Sequence, residues 1–160
     1  MLRISRLTDY ATVILASLAG GGLASAAGIA DRTRIGLPTV SKLLKQLQHA
    51  GLVRSVRGAR GGYQLARPTA GITAADIIDA VEGPVALTEC ASGSGNCDIE
   101  ATCQVGHGWQ RISVAIRRAL TDVKLDELLR RDAAITQPDL HRPQAGRWRP
   151  LVRGGKTGPA

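Results

Sequence analysis

Phenylalanine is absent from this chain of 160 residues, and its whole aromatic complement is Tyr10, Tyr63, Trp109 and Trp148. Rows of stacking rings of the kind that grip single-stranded nucleic acid are therefore excluded. Any core must be built from Leu, Ile, Val and Ala, which suits small helices. Long apolar runs are missing as well, since nothing approaches the roughly 20 predominantly apolar residues of a membrane span. Cysteine is limited to three residues, an odd number that argues against a secreted disulfide scaffold. One stretch imitates a secretion signal: Tyr10 to Ala30 is uncharged, follows Arg3 and Arg6, and contains Leu23-Ala24-Ser25-Ala26-Ala27. Against that reading, Asp9 abuts the stretch, Gly20-Gly21-Gly22 interrupts it, and Ala11, Ile14, Leu15 and Leu18 recur at helical spacing. A cytoplasmic protein is expected.

Acid is scarce where base is plentiful. Residues 1–70 hold ten basic and two acidic side chains, a net +8. Residues 71–136 carry six and ten, a net −4, and residues 137–160 five and one, a net +4. The whole chain stands at +8 with a pI near 10.3. A balance that basic points to a polyanion, and it assigns the contact to the first segment. The last segment is rich in Pro and Gly, so residues 132–160 are expected to be a disordered basic tail.

Within residues 1–70 the pattern reads helix, helix, helix, hairpin. Thr8 is placed to cap a first helix over about residues 8–19, with Asp9 in its first turn. Ser25 starts a second helix through about Arg32, and Pro38 opens a third that ends near Gly51. In the third, Val40, Leu43, Leu44 and Leu47 form one apolar stripe. Lys42, Lys45 and His49 fall on the opposite face, flanked by Ser41 and Gln46. Residues 52–56 and 63–67 read as strands around Arg57-Gly58-Ala59-Arg60-Gly61-Gly62, a turn with glycines able to take positive φ. The expected fold is mainly α with a small β-hairpin wing, a winged helix-turn-helix whose third helix meets base edges of duplex DNA. A solvated helix face would explain Lys42 and Lys45 singly, and a soluble turn Arg54, Arg57, Arg60 and Arg67. Both features together, nearly free of acid, fit DNA better.

The acidic segment has another character. Thr73-Ala74-Ala75-Asp76 resembles a capping box ahead of Ile77, Ile78 and Val81. Cys90, Cys97 and Cys103 then fall within 14 residues in a polar loop, followed by His107. Beyond them Ile112, Ala115, Ile116, Ala119 and Val123 form an amphipathic run long enough to pack with another copy. A structural zinc site usually has a cysteine pair two to four residues apart, which this loop lacks. A thiol switch favours electropositive surroundings, whereas Glu89, Asp98 and Glu100 crowd these thiols. An iron–sulfur cluster needs soft thiolates and accepts a His or carboxylate in place of a fourth Cys. All three readings stay open on spacing alone, with metal or cluster binding ahead of three unrelated cysteines.

Taken together these residues resemble the winged-helix regulators that include the iron–sulfur regulator IscR and the nitric-oxide-sensing repressor NsrR. The resemblance covers about residues 1–131. It rests on Leu7-Thr8-Asp9-Tyr10-Ala11, Thr39-Val40-Ser41-Lys42, Ala50-Gly51-Leu52-Val53, the wing Arg57 to Tyr63 and the three cysteines. Leu87-Thr88-Glu89-Cys90 and the Thr-Asp-Tyr-Ala opening look closest to the branch regulating the SUF iron–sulfur assembly operon. The resemblance implies a homodimer joined through a helix over about residues 107–121. It also implies a [2Fe–2S] or [4Fe–4S] cluster on Cys90, Cys97 and Cys103 that sets affinity for double-stranded DNA. IscR-like members place a His three residues after the third cysteine, where this chain has Gly106, with His107 one further on. The nitric-oxide-sensing members use the Asp of the Thr-Asp motif, donated by the partner subunit, which is Asp9 here. Asp9 is therefore preferred over His107 as fourth ligand.

The expected organisation is a DNA-binding region over 1–70, a linking helix and cysteine loop over 71–106, a dimerisation helix region over 107–131, and the tail. Expected DNA contacts are Thr39, Ser41, Lys42, Lys45, His49, Arg57 and Arg60. The expected function is a transcription repressor sensing iron–sulfur status. The alternatives are a small iron–sulfur carrier or scaffold, which leaves the winged-helix pattern unexplained, and a thiol- or zinc-dependent regulator without a cluster. No nucleophile–base pair or paired carboxylates favour an enzyme.

Overall fold

In the computed structural model, residues 4–58, 61–85, 87–88, 103 and 105–130 are described. The expected tail lies outside them. Helix α1 spans Arg6–Leu18 and buries Ala11, Ile14, Leu15 and Leu18, the spacing that one helical face requires. Its cap is Ser5, not Thr8: the Ser5 side chain accepts from the Thr8 backbone N–H at 3.3 Å. Thr8 is instead buried on the core side, and its hydroxyl donates to Glu82 Oε1. The same oxygen accepts from the Ser5 backbone N–H at 3.1 Å.

This contact ties the start of α1 to the end of α4 (Ala74–Glu82). The Thr8 hydroxyl, aided by the Ser5 N–H, holds the Glu82 carboxyl below its usual value of 4.5 despite partial burial. A carboxylate whose pKa falls on folding stabilises above its unfolded value, and that stability is lost as pH falls through the lowered pKa. Thr8→Val should therefore cost about 1 kcal/mol at pH 7, a small value because Glu82 is solvent-exposed on its other side. In urea titrations the gap from the parent protein should narrow as pH falls from about 5 to 3. A gap that stays constant with pH would mean that the carboxylate contributes nothing.

Helix α2 (Ala26–Thr33) starts as expected at Ser25, whose hydroxyl accepts from the Gly28 N–H at 3.1 Å. It ends at Arg34 in the left-handed conformation, φ 61° and ψ 21°, with the Arg34 N–H bonded to Ala30 O at 2.8 Å. Arginine there, rather than glycine, costs about 1 kcal/mol. Helix α3 (Leu37–His49) carries Pro38 in its first turn and buries Val40, Leu43, Leu44 and Leu47 completely. Gly51, φ 69°, turns the chain out of α3 and into the hairpin.

Strands β1 (Val53–Val56) and β2 (Gly62–Leu65) pair antiparallel, with Val53 opposite Leu65 and Val56 opposite Gly62. The second strand starts one residue before and ends two residues short of the expected 63–67, because its register pairs Val56 with Gly62 and Val53 with Leu65; Tyr63 also pairs on its other edge with Ala24. Gly58 takes positive φ, as expected of the turn, but Gly61 and Gly62 do not. They are needed because side chains there would strike backbone: a Cβ on Gly61 would lie 2.3 Å from Val56 O, and one on Gly62 2.8 Å from Ala24 O.

The capping box of α4 is present, with Thr73 and Asp76 exchanging bonds of 2.9 and 3.0 Å. Helix α5 spans Gly106–Asp122. Val123 was expected on its amphipathic face, yet the helix stops before it. The chain turns extended there because Val123 O accepts from the Ala74 N–H at 2.9 Å and Lys124 bridges to Thr73. A short α6 (Leu125–Leu129) follows, unforeseen from the pattern, and buries Leu125. Ile72, Ile77 and Leu125 enter the same core as α1, α2 and α3. The architecture is mainly helical with a two-strand hairpin, the winged-helix layout expected.

Candidate nucleic-acid interface

With Val40, Leu43, Leu44 and Leu47 buried, 100° per residue sends Pro38, Lys42, Lys45 and His49 to the outer side of α3. All four are exposed, while Thr39, Ser41 and Gln46 are half-buried along the flanks. Among the described residues neither lysine makes an ion pair. Their charge is free for an outside anion. Arg54 and Arg57 are exposed on and just after β1, and Arg60 lies outside the described residues. With the Gln64 amide oriented to suit, its oxygen accepts from Arg54 Nε at 2.7 Å, which steadies that guanidinium on the hairpin surface. Arg67 is used differently from the expectation for a wing residue: it faces Asp76 across 3.6 Å and joins the hairpin's end to α4.

The cysteine loop is covered in part. Cys90 and Cys97 lie outside the described residues, while Cys103 is half-buried and stands two residues before Val105, the cap of α5. His107 is exposed in the first turn of α5. Asp9 is exposed on α1 and lines a groove of about 660 Å³ with Thr8, Thr12, Ile77, Ile78 and Val123. Among the described residues no three His, Cys, Asp or Glu side chains converge, so Cys103, His107 and Asp9 are not brought together in one protomer. Three soft thiols suit a cluster by donor chemistry, and half-exposed Cys103 leaves room for a ligand at that sulfur.

Helix α5 has two faces. Buried Ser113 accepts from the Leu87 N–H at 3.2 Å, and one turn on Arg117 grips Asp79 of α4 with two bonds of 2.9 and 2.5 Å. The other face carries Val105, Trp109, Ile112, Ile116 and Ala119, a spacing of four and three. Val105, Trp109 and Ile112 are 63%, 43% and 45% exposed. That is an exposed apolar stripe at the four-and-three spacing that coiled-coil seams also use.

The sequence profile of the Rrf2 family, described as an iron-dependent transcriptional regulator, matches residues 4–131. The chain belongs to the Rrf2 family. An HTH-type transcriptional regulator of Haemophilus influenzae is 36% identical over 124 residues, 78% of this chain and 82% of that one. IscR of Cereibacter sphaeroides is 32% identical over 138 residues, 82% of this chain and 89% of that one. Among solved structures, CymR, the global cysteine regulator of Bacillus subtilis, superposes with a TM-score of 0.61 at 33% identity, covering 81% of this chain and 97% of that one. Rrf2 membership makes the chain a DNA-binding transcription regulator and not an enzyme. Among the described residues no helix is long and apolar enough to cross a membrane.

Besides α6, two features of this Rrf2 chain are not apparent from its sequence pattern. One is the Thr8–Glu82 tie, for which no local signal exists. The other is Arg34, the one non-glycine residue with positive φ among those described. Its signal was a helix that must end without a Gly or Asn to end it.

Proposed function

We propose that this Rrf2 regulator is a cytoplasmic homodimeric repressor that senses iron–sulfur status through Cys90, Cys97 and Cys103 and controls SUF-type assembly genes. The observation that carries the reading is the position of Cys103. It stands three residues before the start of α5, whose outer face has the seam of a pairing helix and whose inner face is fastened to α4 through Arg117 and Asp79. A change at the loop thus acts on the frame that holds both the dimer seam and the reading head. Thr39, Ser41, Lys42, Lys45 and His49 of α3 face DNA, with Arg57 and Arg60 in the wing. The cluster supplies a centre sensitive to oxygen, iron supply and redox state when bound. Asp9, rather than His107, completes its ligands from the partner subunit. That choice is supported by Asp9 adjoining Thr8, which is tied to the end of α4 on the way to the loop.

Anaerobically purified protein should be brown, with visible charge-transfer absorption. Each of Cys90→Ala, Cys97→Ala and Cys103→Ala should bleach it while leaving a dimer on size exclusion. Asp9→Ala should shift the spectrum and speed bleaching in air, and His107→Ala should do neither; the reverse pair of results moves the ligand to His107. A colourless protein with stoichiometric zinc sinks the cluster. A colourless, metal-free protein whose DNA binding responds to thiol oxidation or cysteine favours the second reading, a thiol regulator, which the likeness to the global cysteine regulator supports.

A further inference from the structure

Residues 34–36 alone join α2 to α3. Leu37 begins α3 three residues after Arg34, and Ile35 between them is buried, so the backbone has little freedom to choose another route. The chain meets this constraint with a left-handed residue at 34, where the backbone N–H closes on Ala30 O at 2.8 Å. Glycine satisfies such a position without strain and asparagine nearly so. Arginine does not, because its Cβ crowds the carbonyl.

What holds that turn inside the protomer is the buried Ile35 and the bond from its N–H to Thr33 Oγ1 at 3.4 Å. Among the described residues the Arg34 side chain makes no ion pair, although Asp31 is exposed one turn back on α2. The favourable charge at the end of α2 is already supplied by Arg32 in its last turn. Arg34 itself is exposed. A left-handed residue with an unpaired, exposed cation, at the turn that presents α3, is open to an anion outside the protomer. In a helix-turn-helix, the helix ahead of the reading helix crosses the DNA backbone while the reading helix enters the major groove. The turn between them therefore stands over the groove's edge, where the available partners are phosphate oxygens.

We propose that Arg34 is a phosphate clamp that positions α3 in the major groove and carries no base preference of its own. It fixes register, and base edges are left to the outer face of α3. The proposal rests on α3 being the reading helix and is independent of any cluster.

The test uses full-length protein and two fluorescent 30-base-pair duplexes, one of mixed sequence and one selected by the protein from a random library. Arg34→Gly should bind both about tenfold more weakly near 150 mM salt, with the slope of log affinity on log salt shallower by about 0.9 per protomer. It should melt at the parent's temperature or a few degrees above it, because the left-handed strain is relieved. Arg34→Asn, which tolerates the conformation but is neutral, should match the glycine variant. Arg34→Lys should recover most of the affinity. Binding within twofold of the parent at unchanged slope for both neutral variants overturns the clamp. So does a clear fall in melting temperature for Arg34→Gly, which would make the residue structural. Lys42→Ala/Lys45→Ala serves as the reference: if it binds normally, α3 is not the reading helix and the clamp falls with it. If it binds weakly while the Arg34 variants do not, the clamp alone fails.

Discussion

Replacing Lys42 and Lys45 together by alanine should weaken binding to the protein's own operator duplex about a hundredfold at physiological salt. Each lysine stands on the outer side of α3, opposite a stripe of four fully buried residues, and neither has an internal ionic partner among the described residues. A hydrogen bond made by a charged group contributes about 1.5 kcal/mol or more, and 1.4 kcal/mol is tenfold in affinity, so two contacts give about two decades. The fold should not notice. Both side chains are exposed, so the melting temperature should stay within about 2 °C of the parent, as is usual for surface substitutions. Fluorescence anisotropy across a salt series separates the roles of the two residues. A lysine that touches only phosphate lowers the salt slope and weakens all sequences alike, whereas one that reads guanine also reduces the preference for operator over mixed DNA. Unaltered affinity would show that some other element reads the DNA.

The parts of the fold that were legible in advance are those specified by neighbours in sequence. The stripe Val40, Leu43, Leu44 and Leu47, the Ser25 cap and the Thr73–Asp76 box all lie within one or two helical turns, and each is found where the local chemistry requires it. The misplacements have distant causes. Ser5 and Thr8 are equally good caps by type, and the choice between them is made by Glu82, 74 residues beyond Thr8. Val123 continues the helical pattern of α5, but its carbonyl is claimed by Ala74 and the helix ends. Arg67 belongs by composition with the wing arginines, and it is Asp76 that pairs with it. Of the candidate site, the outer face of α3 follows from periodicity alone. Arg34 does not, because a rule that associates left-handed helix ends with Gly or Asn passes over an arginine placed there for its charge.

A large structural effect is expected at Gly62, where alanine should lower stability by about 3 kcal/mol and misplace the wing. A Cβ there would lie 2.8 Å from Ala24 O and 2.9 Å from Ala24 C, both backbone atoms that cannot swing aside. Relief requires the hairpin to move off the segment ahead of α2, which breaks the paired bonds Ala24 N–H to Tyr63 O at 3.0 Å and Tyr63 N–H to Ala24 O at 2.8 Å. Each of the two backbone hydrogen bonds contributes about 1 kcal/mol net and a forced shift of packed elements costs about 1 kcal/mol or more, from which the figure follows. For a folded unit of this size the melting temperature should drop by about 10 °C. Gly71→Ala is the matched control, because a Cβ at Gly71 meets only the Arg67 side chain at 3.9 and 4.0 Å and its φ is ordinary. That variant should melt near the parent temperature. DNA binding adds the functional half of the test. The hairpin carries Arg54 and Arg57, and the segment it docks on leads into α2 and so to α3, so a displaced hairpin loses wing contacts and loosens the frame of the reading helix together. Gly62→Ala should therefore lose affinity even well below its melting temperature, whereas Gly71→Ala should not. Normal melting and normal binding by Gly62→Ala would mean that the Ala24–Tyr63 pairing does not hold the wing, and that the hairpin is positioned by the covalent path from α3 through Gly51 alone.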